Sequence, residues 1–375
     1  MMRMVFVFFL MVYLGTFAFG QNQGPALKRG LAILQNDTIH RKKGLFALPL
    51  LYYTPDTRWA AGLAGVVYFN TGHPDSTLNT RLSYVKVLGD YTQNKQTDLW
   101  AEWNVFTKQE SFLTKGEIRF RNFPDKFYGI GNQSSASNLE SYSYDLFKVK
   151  FLGMKQFQPH WFVGLDYQFE NEYGFQLQSN GALLNQNILG NQGGIGSALG
   201  GLLTFDSRDN VINPYCGKLF EFSTYFNHRN LGSTFHYNNI NLEYRQYFEW
   251  KKNHVLAIQA IANFYFGEVP FLDMARVGSD GILRGYASNR FRDHHLIGIQ
   301  TEARFPVYKR LGMVIFGGIG DVFYKLNDLS LSNLKYSLGA GLRFTINPAE
   351  RLNFRLDYGI GRRSSAYYIL LTEAF

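Results

Sequence analysis

Few residues in this chain are spaced for covalent chemistry. Asp293-His294-His295 offers three metal-ligating groups in a row, but adjacent side chains on a strand point to opposite faces, so they do not converge on one ion. The run GGIGSALGG around Ser197 lacks the spacing of a nucleophile elbow, and no phosphate-binding loop or dinucleotide fingerprint occurs. A lipid hydrolase would need a serine, a histidine and a carboxyl or amide converging at one rim, and that set does not assemble. Cys216, the single cysteine, lies in the turn NPYCG and cannot form an internal disulfide. The stretch VGSDGILRGY, Val277 to Tyr286, is different in kind: too polar and glycine-rich for a strand, yet flanked on both sides by strand-like sequence. It sets a guanidinium, Arg284, beside a glycine, and a guanidinium withdrawn from water needs a carboxylate. The chemistry to explain is therefore noncovalent, with no catalytic residue, metal or cofactor required.

The elements that could hold such an arginine follow from composition. Residues 1–20 carry an early Arg3, an apolar run from Met4 to about Phe17 and a small-residue end, the pattern of a cleavable signal for export through the Sec pathway. No second long apolar segment follows, which excludes a helical membrane protein. The chain is 17% aromatic, with 34 Phe, 24 Tyr and 37 Gly but only 10 Pro, at a mean hydropathy of -0.19. Aromatic strands with near-neutral average hydropathy suit a transmembrane β-barrel, where only alternate residues meet lipid.

Residues 21–45 are polar and basic, a short periplasmic arm, and from Phe46 to Phe375 the chain breaks into alternating runs separated by turn residues. In LNFRLDYGI, Leu352, Phe354, Leu356 and Tyr358 share one face, and Asn353, Arg355 and Asp357 the other. In LKYSLGAGLRFTI, Tyr336, Leu338, Leu342 and Phe344 oppose Lys335, Ser337 and Arg343. The fold class expected is all-β, an antiparallel transmembrane barrel of about sixteen strands, the first at 46–53 and the last at 365–375, lipid outside and a polar lumen inside. Parity then turns Glu302 and Asp357 inward, where either could meet Arg284. A soluble sandwich would have charged outer faces, whereas here the second face is aromatic or aliphatic.

The formal net charge is +9, but the basic residues form no run, which argues against a nucleic-acid partner. A positively biased lumen or rim would suit anionic lipid headgroups or acidic partners. The terminal run YYILLTEAF, with Tyr367, Ile369, Leu371 and Phe375 on one parity, reads as the exit signal of an outer-membrane barrel.

At LRGY a family resemblance appears. GSDGILRGY, followed by the strand containing QTEARFPVY, is similar to the sixth extracellular loop and twelfth strand of the BamA/TamA family (bacterial surface antigen type) of outer-membrane assembly and translocation barrels. FDSRDNVINPYCGKLFEFS resembles that family's strand-turn-strand signature, LPLLYYTPDTRWAAG its barrel start, KFYGIGNQ a mid-barrel turn, and GLRFTINP with FRLDYGIG its strands before the last. The resemblance implies that loop 6 folds into the lumen, with Arg284, Gly285 and Tyr286 at its tip and Glu302 and Arg304 on the inner wall. Two departures stand out. The family's aspartate in the thirteenth strand is replaced by Gly318 in FGGIGDV, leaving Asp321 on the opposite parity as a lesser candidate, and no POTRA-like β-α-α-β pattern precedes Phe46. The function expected is outer-membrane protein or lipid assembly by a POTRA-less barrel, with outer-membrane lipids and other assembly subunits or periplasmic proteins as partners. A passive or substrate-selective pore is the alternative, and an outer-membrane lipid hydrolase a weaker one.

Overall fold

The computed structural model describes residues 43–54, 58–71, 83–107, 110–278, 281–287, 289–348 and 351–375. The signal and nearly all of the 21–45 arm lie outside these residues. The strands are β1 (Lys43–Thr54), β2 (Arg58–Phe69), β3 (Ser83–Thr92), β4 (Thr97–Phe106), β5 (Phe112–Phe127) and β6 (Glu140–Gln158). They continue with β7 (Trp161–Gln176), β8 (Gly194–Asp206), β9 (Gly217–Asn227), β10 (Tyr237–Lys251), β11 (His254–Gly267) and the short β12 (Ala275–Val277) and β13 (Phe291–Asp293). The last five are β14 (His295–Tyr308), β15 (Leu311–Phe323), β16 (Lys335–Asn347), β17 (Leu352–Gly361) and β18 (Ser364–Leu371).

All but β12 and β13 form one sixteen-stranded antiparallel sheet in which each strand pairs with the next along the chain. Such a meander needs only local connections, which period-2 alternation punctuated by turn residues encodes well. Among the described residues no ladder joins β1 to β18. The long connections 128–139, 177–193, 228–236, 268–294 and 324–334 leave one end of the sheet, and the tight turns 159–160, 252–253 and 309–310 leave the other. Long loops mark the extracellular end of an outer-membrane barrel.

The two faces of the sheet are inverted relative to a soluble protein. On β16, Leu338 is 64% exposed while Ser337 and Arg343 are buried, and on β14 Ile299 is exposed while Gln300, Glu302 and Arg304 are buried. Apolar outside and polar inside is stable only if the outside is lipid. The sheet curls enough for its distant parts to meet. Arg351 Nη1, in the β16–β17 turn, lies 2.5 Å from Asp209 Oδ2 in the β8–β9 turn.

The described residues of segment 268–294 lie inside this curl. Its β12–β13 hairpin pairs Ala275 with Asp293 and Val277 with Phe291, and Ala275, Val277, Ile282, Leu283, Tyr286 and Phe291 pack with Leu296 and Val322 into an apolar cluster. The segment bridges opposite walls: Asn289 Nδ2 donates to Asp125 Oδ1 of β5 at 2.7 Å, while Arg284 reaches Asp357 of β17.

Two boundaries differ from the sequence reading. The first strand opens at Lys43, where Lys43 and Gly44 pair with Phe69 and Tyr68 despite their polar character, so the arm is shorter than 21–45. The last strand stops at Leu371, because Thr372 takes a left-handed φ of 71° that turns the chain off the ladder.

Candidate functional site

The tip at 283–286 is held main chain against main chain. Gly285 has φ 119°, and a Cβ there would stand 2.7 Å from Ile360 N and 2.8 Å from Gly359 C. A Cβ on Gly359 would in turn meet Arg284 O at 2.6 Å. Only glycine at both positions permits this approach of loop to wall. Polar partners then fix the register. Gly285 N donates to Tyr368 Oη at 2.9 Å, Tyr368 Oη donates to Tyr286 O at 3.1 Å, and Ser337 Oγ donates to Arg284 O. Tyr286 Oη donates to Tyr336 O at 3.0 Å and accepts from Arg362 N at 2.9 Å.

The Arg284 side chain is fully buried. Its Nη1 donates to Asp357 Oδ2 at 2.6 Å, its Nη2 lies 3.5 Å from Glu302 Oε2, and its guanidinium stacks 3.6 Å from the centre of the Phe316 ring. The loop tip thus touches β14, β15, β16, β17 and β18 at once. A charge in this setting is tolerable only when paired and stacked.

The two carboxylates are shared. Glu302 also meets Arg304 at 3.4 Å and Arg343 at 3.6 Å, and Asp357 also meets Arg343 at 2.5 Å and Arg355 at 3.6 Å. Arg343 Nε reaches Glu373 Oε2 at 2.7 Å, Asn353 Nδ2 donates to the same carboxylate at 2.8 Å, and Arg304 Nη2 donates to Phe375 O at 2.8 Å. Four arginines and three carboxylates form one buried network joining the loop tip to residues 373–375.

Two sequence assignments need correction. Asp321 is not a partner of Arg284. It pairs with Lys335 Nζ at 2.8 Å and accepts from Asn132 Nδ2 at 3.2 Å, towards the extracellular end of the wall. At Gly318 a Cβ would meet Gln300 Cβ at 2.8 Å and Leu283 Cδ2 at 3.0 Å, so loop side chains fill the space an aspartate would need. Phe375 is not the end of an outward row. Tyr367 and Ile369 are 60% and 52% exposed, and Leu371 continues their strand with its side chain outside the described set, but Phe375 is buried against Tyr247, Val255 and Ala257. The turn at Thr372 is the cause.

Arg343, Arg355, Tyr368 and Glu373 were missed as participants. Parity had set Arg343 and Arg355 on the inner face, which was the available signal. Glu373 was hidden by the unforeseen turn.

The remaining candidates do not converge. Asp293 Oδ1 bonds its neighbour His294, while His295 lies among Phe264, Phe266 and Phe323. Ser197 Oγ meets Tyr167 Oη at 3.0 Å. Glu170, Glu172 and Asp273 bring oxygens within 4.8 Å of one another beside a cavity of about 570 Å³, but Lys148 lies 2.9 Å from Glu170 and Tyr237 Oη donates to Asp273 at 2.6 Å. Burial and the neighbouring Glu170 charge push the Asp273 carboxyl up to about 6.

The fold and this network define a class, a curled sixteen-stranded antiparallel sheet of outer-membrane type with a loop docked on its inner face. Within it, the chain matches the Omp85 superfamily domain over residues 69–366 and belongs to that superfamily. Among solved structures it is similar to BamA from Haemophilus ducreyi lacking POTRA domains 1–3, with a TM-score of 0.55 at 11% identity over 89% of this chain and 70% of that one. It is also similar to CdiB from Acinetobacter baumannii, with a TM-score of 0.54 at 8% identity over 89% of this chain and 60% of that one. No curated protein matches it by sequence.

Proposed function

We propose that this chain serves the assembly or translocation of outer-membrane proteins or lipid, as a non-enzymatic barrel acting with partner proteins. The observation that carries the reading is the docked tip: Arg284 is buried between Asp357 and Glu302, and its loop spans the interior from β5 to β17. A lumen occupied by a segment tied to five strands suits a barrel that works through its wall and its surrounding bilayer. In this mechanism the first and last strands form a weak seam, the bilayer thins locally, and the loop keeps the lumen plugged while the seam accepts a client. No covalent step is involved.

The polar cavity beside Glu170 and Asp273 favours a second reading, a substrate-selective pore. Affinity capture from native membranes separates the two. Recovery of assembly subunits is expected, whereas recovery of a nutrient-uptake lipoprotein, together with steady single-channel conductance, would favour the pore.

A further inference from the structure

The tight turns opposite the long loops carry a charge pattern unconnected with the interior network. The β10–β11 turn presents Lys251 and Lys252, the β14–β15 turn presents Lys309 and Arg310, and all four are exposed. β11 pairs with β10 on one side and β14 on the other, so the two turns are near neighbours on the rim. Among the described residues none of the four makes an ion pair. The nearby Glu249 accepts from Asn253 N at 2.7 Å. Arg351, in the next turn along the rim, is by contrast occupied by Asp209 at 2.5 Å and the Tyr215 ring at 4.0 Å.

Outward aromatic residues stand directly beside these cations. Trp250 is 55% exposed and Tyr308 65%, and Lys309 Nζ lies 5.1 Å from the Tyr308 ring. Rings of this kind settle at the carbonyl and glycerol level of a leaflet, and lysine or arginine one step further along the chain then stands at the height of the phosphates. An acidic protein would be recognised by the cations alone and would have no use for rings on the lipid-facing side.

We propose that Lys251, Lys252, Lys309 and Arg310 form a binding surface for anionic phospholipid headgroups of the periplasmic leaflet, with Trp250 and Tyr308 as its floor. The proposal rests on the membrane reading above. Each cation near an anionic surface favours it by about fivefold at most, and salt weakens the effect.

Trp250 is a built-in reporter. The full chain is reconstituted in phosphatidylcholine vesicles containing increasing brominated phosphatidylglycerol or brominated phosphatidylcholine, and its tryptophan fluorescence is followed, with Trp250→Phe isolating the Trp250 share. Half-quenching is expected at a mole fraction about fivefold to tenfold lower for the anionic lipid. In the Lys251→Gln, Lys252→Gln, Lys309→Gln, Arg310→Gln variant the two lipids should become equivalent. All four changes lie in exposed turns, and heat-modifiable migration checks that the variant folds. Equal quenching of the wild type by both lipids overturns the proposal and leaves the patch to an acidic protein. A preference that survives the fourfold change overturns it too, by placing selectivity elsewhere. If neither lipid quenches Trp250, the membrane reading itself fails.

Discussion

Glu302→Gln tests whether the loop tip and residues 373–375 share one network. The substitution keeps the shape of the side chain and removes its charge. Glu302 is fully buried and faces Arg284 at 3.5 Å, Arg304 at 3.4 Å and Arg343 at 3.6 Å, so its loss leaves four arginines facing Asp357 and Glu373 alone. Removing one partner from a buried ion pair costs about 3–5 kcal/mol. With an unfolding entropy of about 2.1 cal/mol/K per residue, a barrel of roughly 330 residues loses about 4–7 °C in melting temperature for that penalty. The assay is the temperature at which gel migration shifts from the folded to the unfolded form, combined with hydrogen exchange resolved at 283–286 and 372–375. Both segments should lose protection together. Arg304→Gln added to Glu302→Gln should be less damaging than the sum of the two, since it restores charge balance. A melting temperature within about 1 °C of wild type, or loosening of the tip with residues 372–375 unchanged, refutes the shared network.

Arg284→Ala removes a contact worth about 1.5–3 kcal/mol, so the protein should still fold and insert, while reconstituted membranes become leakier to ions and cellular activity falls. Arg284→Lys should rescue only in part, because an ammonium cannot bridge Asp357 and Glu302 while stacking on Phe316. Gly285→Ala should displace the tip more than Arg284→Lys, since it adds a Cβ about 2.7 Å from Ile360 N at a left-handed φ; cross-linking yield between cysteines engineered near 283 and 359 would report it. Asp273 should make the loop pH-sensitive. Its carboxyl is raised to about 6, so the stability its protonated form contributes is present at low pH and lost as pH rises through about 6. Limited proteolysis of segment 268–278 should therefore be faster at pH 8 than at pH 5 once protease activity is normalised, and Asp273→Asn should narrow the difference.

Period-2 alternation was enough to find about sixteen strands, because an antiparallel meander is local and each strand ends at a turn. It also put Arg343, Arg355 and Asp357 on the inner face. What parity cannot supply is depth along the wall, which decides who meets whom: Asp357 lies level with the tip, while Asp321 sits nearer the extracellular end beside Lys335. A single left-handed residue, Thr372, undid the reading of the final segment, since nothing in LTEAF distinguishes a continuing strand from a turn driven by buried arginines. The tip was legible through its glycine and arginine. Its counterpart on the wall, Gly359, was visible only as one more small residue in a strand.

The inward turn at Thr372 imposes a sequence of events during folding. Glu373 is received by Arg343 of β16, and Phe375 by Arg304 of β14 and by the side chains of Tyr247, Val255 and Ala257 on β10 and β11. None of these seats exists until those strands have paired. The final residues must therefore stay outside while the wall is being built and move in afterwards. A probe that binds only the extended form of residues 372–375 should lose its hold once these strands have paired.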